Sequence, residues 1–333
     1  MTHPENGARI HVGVAGWYYP DWQGVVYPSG GHARDHLRYL AAFVDCIEVN
    51  NTFYRPPDVS DVAAWCERVA DRERFRFTVK LWQRFTHMRE EPWRPAELKD
   101  FLRRLRPIFD GGFGGALLAQ FPHSFHLSPE NMEYLKELVS QIKEAYPNDC
   151  RGARPCAPTN NKRPQPSARS DADGRRGTPV VVEVRHLSWN SPEAFSAFEE
   201  LGASICSIDQ PMFRGSLGPL EQVTGGMGYI RLHGRNKANW FNENAGRDDR
   251  YNYLYPAKEL KPWVERVRRM AEKARDVYVI ANNHFRGQAV CNALMFKTLL
   301  EGRRVRAPAT LMENYPVLKE YADPDVPMQE TLF

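Results

Sequence analysis

Seven side chains in this sequence have types that could do chemistry together: Glu48, Lys80, Glu183, Arg185, Asp209, Arg231 and His233. Carboxylates and an imidazole move protons, while an amine and guanidiniums hold an anion such as phosphate. Each lies in or just after a short apolar run, and on an extended strand successive side chains point to opposite faces. In CIEVN (46–50), Ile47 and Val49 share one face and Glu48 and Asn50 take the other. In FRFTVK (75–80), Phe77 and Val79 oppose Thr78 and Lys80; in PVVVEVRH (179–186), Glu183 and Arg185 share a face. In YIRLHGR (229–235), Arg231, His233 and Arg235 oppose Ile230 and Leu232. Gln120, Asp209, Asn282 and His284 close the remaining runs by the same rule, with the phase at Asp209 open.

Beyond these runs come residues suited to contacting a substrate. Trp17, Tyr18, Asn50, Phe53, Tyr54, Trp82, Gln120, His186, Trp189, Arg235, Asn236, Trp240, Asn282, Asn283 and His284 are the candidates. Aromatic faces interleaved with cations suit unpaired bases or sugars, each stacked base contributing ~1–3 kcal/mol. Two structural alternatives stand beside this reading. Some of the aromatics would only plug a core, and the charged set would only form a self-satisfied ion network.

The elements that must position these residues are eight short apolar runs alternating with helix-length segments: 11–17, 46–50, 75–80, 115–120, 179–186, 203–209, 227–234 and 276–283. Such alternation predicts a single (β/α)8 TIM barrel spanning 1–333, with catalytic groups at the carboxyl ends of its strands. Apolar stripes at helical spacing predict helices over 33–43, 95–109, 128–146 and 256–275. An open doubly wound sheet would share the alternation, but no GxGxxG or GxxxxGK[ST] follows the first run. Residues 151–178, rich in Pro, Arg, Ser and Asn, predict a disordered basic insertion between the fourth helix and fifth strand. That insertion holds seven basic and two acidic side chains, so the formal charge of +4 leaves the rest of the chain about neutral. Net charge is therefore weak support for a polyanion partner.

Other classes find little support. No HExxH or GxSxG occurs. A divalent metal would have to draw on Glu48, Glu183, His186, Asp209, His233 and His284 against repulsion from Lys80, Arg185 and Arg231, so no metal or other cofactor is expected. The six cysteines form no CxxC pair and read as reduced thiols. No apolar run is long enough to span a bilayer and the amino terminus lacks an apolar signal core, so a cytoplasmic monomer without a membrane is expected. Residues 322–333 read as a flexible tail ending in PMQETLF, where Gln329, Leu332 and Phe333 resemble the QxxLF peptide that docks on the bacterial sliding clamp.

The chain as a whole resembles the DUF72, or YecE-like, family of TIM-barrel proteins. The segments that carry the resemblance include GVAGWYYPDWQGVVYP (13–28), YLAAFVDCIEVNNTFYRPP (39–57), FRFTVKLWQRFTH (75–87) and LLAQFPHSF (117–125). They continue with EVRHLSW (183–189), YIRLHGRNKANW (229–240), YNYLYPAKEL (251–260) and NNHFRGQAVCNAL (282–294). The resemblance implies the barrel independently of the strand pattern; the 151–178 insertion is longer than it leads one to expect. It implies little about reaction, since the family is known by its fold and only loosely likened to sugar isomerases and endonuclease IV-like barrels. The preferred expectation is a nucleic-acid-associated protein that binds or hydrolyses at the barrel mouth. The alternatives are an isomerase or lyase acting on a sugar or sugar phosphate, and a noncatalytic interaction protein.

Overall fold

Eight strands pair in chain order, all parallel, and close on themselves. They are β1 (Arg9–Ala15), β2 (Cys46–Val49), β3 (Arg76–Lys80), β4 (Gly114–Gln120), β5 (Val180–Glu183), β6 (Ser204–Asp209), β7 (Met227–Leu232) and β8 (Asp276–Ala281). Closure runs from Arg9 opposite Asp276 to Val14 opposite Ala281. The computed structural model describes residues 7–30, 36–145, 178–240 and 249–325. All eight expected runs are strands of this (β/α)8 barrel. At Gly13, a Cβ would come within 1.8 Å of the Cys46 carbonyl oxygen, so only glycine lets β1 and β2 approach.

The surrounding helices are α1 (His36–Leu40), α2 (Val59–Arg68), α3 (Pro95–Arg104), α4 (Arg106–Asp110), α5 (Pro129–Ala145) and α6 (Pro192–Leu201). After them come α7 (Lys237–Trp240), α8 (Ala257–Ala271), α9 (Gln288–Glu301) and α10 (Ala309–Asn314). The helix expected over 95–109 divides at Leu105, because Pro107 has no N–H to continue the ladder. Helix α6 shows the local logic well: Ser191 caps it by accepting from the Ala194 N–H, Pro192 opens it, and Gly202 ends it in the left-handed region. The insertion at 151–178 lies outside the described residues except for Thr178.

The apolar core fills the layer between strands and helices, with Val79, Leu117, Val182, Ile230 and Val279 facing Phe101, Leu138, Phe198, Trp263 and Leu294 among others. The barrel interior is filled differently. His11 stacks on Tyr278 at 4.6 Å, and Tyr278 on Tyr229 at 5.9 Å, building a column of rings toward the mouth. The tail boundary needs correction. Ala322–Asp325 forms a strand, β10, paired in parallel with β9 (Val305–Pro308) and fastened by Arg304 to Asp323 and Arg306 to Asp325. Gln329, Leu332 and Phe333 lie outside the described residues.

Candidate functional site

On β7, Arg231 follows Tyr229 on the inward face, and its guanidinium sits at the centre of the barrel, 1% exposed. Its Nη2 donates to Glu48 Oε1 of β2 at 2.6 Å and its Nη1 to Glu183 Oε2 of β5 at 2.5 Å. The other oxygen of Glu183 accepts from Arg185 Nε and Nη2 at 2.9 and 2.7 Å. The other oxygen of Glu48 lies 2.9 Å from the Tyr229 hydroxyl, itself 2.8 Å from Thr78 Oγ1. Burial pushes the Glu183 carboxyl up, yet the Arg231 and Arg185 guanidiniums outweigh it and hold the group well below the usual carboxylate range. His233 Nδ1 lies 2.9 Å from Asn282 Nδ2, which requires the ring to accept there and to carry its proton on Nε2, 3.5 Å from Glu183. Burial pulls His233 down to about 3, so it is neutral at physiological pH and orients Glu183.

Two carboxylates are thus matched by two guanidiniums, and the third cation is left over. Lys80, at the end of β3, makes no ion pair among the described residues; its Nζ lies 3.9 Å from the centre of the Phe53 ring. Burial, then Arg231, lower its pKa to about 7 against the opposing pull of Glu48 and Glu183. His87 stands edge-on to the same Phe53 ring, with Nδ1 2.9 Å from Thr86 Oγ1. Burial and the neighbouring Lys80 and Arg185 charges lower its pKa to about 4. Asn50 Oδ1, one residue beyond β2, is buried and accepts no hydrogen bond.

Above this layer opens a pocket of about 280 Å³ lined by His87, Gln120, Pro122, His123, Arg185, Gln210, Phe213, Ser216, Arg250 and Tyr251. These come from the loops after β3, β4, β5, β6 and β7, the face on which a barrel of this type carries its chemistry. Among the described residues its lining includes two guanidiniums and two imidazoles and no carboxylate. The Nε of Arg250 is buried and makes no hydrogen bond among the described residues. Among the described residues, no group of three or more His, Cys, Asp or Glu side chains converges as a metal ion would require.

Strand alternation thus brings Glu48, Lys80, Glu183, Arg185, Arg231 and His233 together, with Gln120 3.4 Å from Arg231. It does not bring Asp209. The interior face of β6 carries Cys206, whose thiol is pushed up by burial and by Glu183. Asp209 points the other way and accepts from Trp263 Nε1 of α8 at 3.1 Å and from Arg235 Nε at 3.0 Å. Arg235 also leaves the interior, because Gly234 turns the chain with a φ of 91° and ends the alternation. It pairs with Asp209 and Glu259.

Of the candidate contact residues, Trp189 is fully buried, stacked on Phe125 and donating to the Phe125 carbonyl, so it packs below the rim. Trp17 lies edge-on to Trp65, and Trp82 edge-on to Phe85. Tyr18 and Tyr54 stand on the surface, 63% and 56% exposed. His186 packs its ring 3.9 Å from that of His126 and accepts from the Ser188 N–H. Asn236 and Asn283 hold loop carbonyls, of Asp249 and Tyr253 respectively. His284 stacks on Tyr19 at 4.5 Å and packs 4.8 Å from Tyr251. Trp240 lies in α7; its side chain is not among those described. His87, His123, Gln210, Arg250 and Tyr251 are pocket residues that sequence reasoning passed over. The run RFTH just after the Lys80 strand carried the only usable signal, for His87.

A family model described as "Protein of unknown function DUF72" matches residues 11–314. The UPF0759 protein YunF of Bacillus subtilis (strain 168) is 27% identical over 309 residues, 88% of this chain and 95% of that protein. The crystal structure of a DUF72 family protein from Thermotoga maritima superposes with a TM-score of 0.71 at 30% identity, covering 88% of this chain and 99% of that one. A second, from Enterococcus faecalis, gives 0.69 at 23% identity over 88% and 95%, a likeness of fold alone. Among the described residues, no helix is long and apolar enough to cross a membrane.

Proposed function

The chain belongs to the DUF72 family, and we propose that its barrel mouth binds a small anionic metabolite, of the size of a sugar phosphate or sugar acid, for isomerase or lyase chemistry. The observation that carries this reading is the pocket of about 280 Å³ lined by Arg185, Arg250, His87 and His123 with no acidic side chain among the described residues. A lining of that charge favours an anion. Its volume lies just below the ~300–1,000 Å³ of ordinary small-molecule sites, which suits one compact metabolite. The ion network supports the reading too. A buried pair is often matched or bettered in stability by apolar side chains of similar volume, so holding Glu48, Glu183 and Arg231 in a barrel core calls for a use.

Nucleic acid, the preference from sequence, loses support. It rested on a basic rim of stacking aromatics and on the clamp-like tail; Trp189 of that rim is fully buried, Tyr18 and Tyr54 are exposed, and the tail residues Gln329, Leu332 and Phe333 lie outside the described residues.

The test compares ribose 5-phosphate, ribose and a single-stranded oligonucleotide by calorimetry, with wild type and Arg250→Gln. Binding of ribose 5-phosphate but not ribose is expected. Loss of one charge-assisted hydrogen bond, ~1.5–3 kcal/mol, weakens it roughly 10- to 100-fold in the variant. An oligonucleotide that binds while the sugar phosphate does not would replace this reading with the nucleic-acid one.

A further inference from the structure

We propose that Lys80 is a covalent nucleophile, its Nζ forming an imine with the carbonyl carbon of the metabolite. The inference rests on the small-anion reading and names the substrate class within it: an anionic aldehyde or ketone. Four features of the site converge on it. Lys80 occupies the last residue of β3, on the inward face of a barrel whose chemistry belongs at that end. It has no ion pair among the described residues, because Arg231 from β7 and Arg185 from β5 occupy the nearby oxygens of Glu48 and Glu183. The charged groups that act on it are Arg231, Glu48, Glu183 and Arg185, with both carboxylates already bonded to the guanidiniums, and the nearest face is the apolar ring of Phe53 from the β2 loop. Lys80 is half-buried and adjoins the pocket through one ring: Phe53, under its Nζ, meets the pocket residue His87 edge-on.

An ammonium set between cations and an aromatic ring gives up its proton more readily than one paired with a carboxylate, and an amine neutral near pH 7 is the attacking species in imine formation. The step balances without an external reagent. The Nζ lone pair forms the C–N bond, and the carbonyl oxygen departs as water with the two hydrogens that Nζ loses. A proton on the resulting imine nitrogen makes it an electron sink for loss of a neighbouring proton or carbon group, the requirement of an isomerase or lyase. Arg185 and Arg250 would hold the anionic end.

The experiment uses the full chain with glycolaldehyde phosphate, a small aldehyde bearing a phosphate, followed by borohydride. Hydride reduces the imine carbon and fixes a secondary amine that peptide mass spectrometry locates. A single dominant adduct on Lys80, absent from Lys80→Arg and suppressed by inorganic phosphate, is the expected result. An adduct on Lys80 that phosphate does not suppress supports the covalent role but removes the anion-site reading. Adducts spread over surface lysines with Lys80 unmodified overturn the proposal, and do so while leaving the anion site intact if ribose 5-phosphate still binds. Mapping the wild-type chain gives the answer even should the variant fail to fold.

Discussion

Replacing Arg231 with Met removes the one guanidinium that Glu48 and Glu183 share across the barrel, at 2.6 and 2.5 Å, and leaves both carboxylates buried. Breaking a buried pair by removing one partner costs about 3–5 kcal/mol, because the remaining charge stays desolvated. The sign of the pH dependence then reverses at Glu183. In the wild type its folded pKa is depressed, so its contribution is present above the unfolded value of ~4.3 and lost only as pH falls through the lower folded value. With Arg231 gone, burial, which raises the pKa, outweighs what Arg185 alone supplies. The folded value then rises above the unfolded one, and the carboxyl weakens the fold at neutral pH and ceases to do so as it takes up a proton. Urea unfolding followed by fluorescence of the chain's eight tryptophans reads both quantities. The variant should lose at least ~3 kcal/mol at about pH 8 and recover ~1 kcal/mol or more by about pH 5, while the wild type changes little. A deficit below ~1 kcal/mol, or one equal at both pH values, would refute the reasoning that these charges depend on Arg231.

Lys80 predicts the opposite trend. A lysine whose folded pKa, about 7, lies below its unfolded value subtracts stability that is fully felt below the folded pKa and vanishes above the unfolded one. Lys80→Met should therefore raise the urea midpoint near pH 6 by an amount worth ~1 kcal/mol or more, with the gain shrinking as pH rises from about 7 toward ~10.4; a lowered midpoint near pH 6 contradicts the argument. Gly13→Ala places a Cβ 1.8 Å from the Cys46 carbonyl oxygen, which only a shift of backbone relieves. A loss beyond ~4 kcal/mol is expected, seen as insoluble protein or a collapsed unfolding midpoint, whereas near-wild-type stability would mean the strands separate easily.

What sequence could convey follows from what alternation encodes. Ile47 and Val49 in β2, Phe77 and Val79 in β3, Val182 and Val184 around the end of β5, and Ile230 and Leu232 in β7 share one parity, so Glu48, Lys80, Glu183 and Arg231 were placed in the interior by neighbours that had to face the helices. Asp209 escaped the rule because Ile205 and Ile208 straddle both phases of β6, leaving no polar face to identify. Arg235 escaped it because Gly234 ends the extended backbone one residue earlier. The pocket walls were less legible still. His123, Gln210 and Arg250 sit on loops, where no periodicity links position to direction. Helix α9 offered no stripe to find, since Val290, Cys291, Leu294, Met295 and Phe296 are buried around most of its circumference.

The shared guanidinium has a consequence for how the barrel can be divided. Glu48 belongs to the first four strands, and Glu183 and Arg231 belong to the last four. An amino-terminal half on its own would carry Glu48 with Lys80 but without its bond to Arg231, and a carboxyl-terminal half would carry the Arg231 and Arg185 guanidiniums with Glu183 but without Glu48. The Arg231 bridge between Glu48 and Glu183 thus exists only in the closed ring. It ties the two halves to each other by an ion pair as well as by the β1–β8 and β4–β5 ladders.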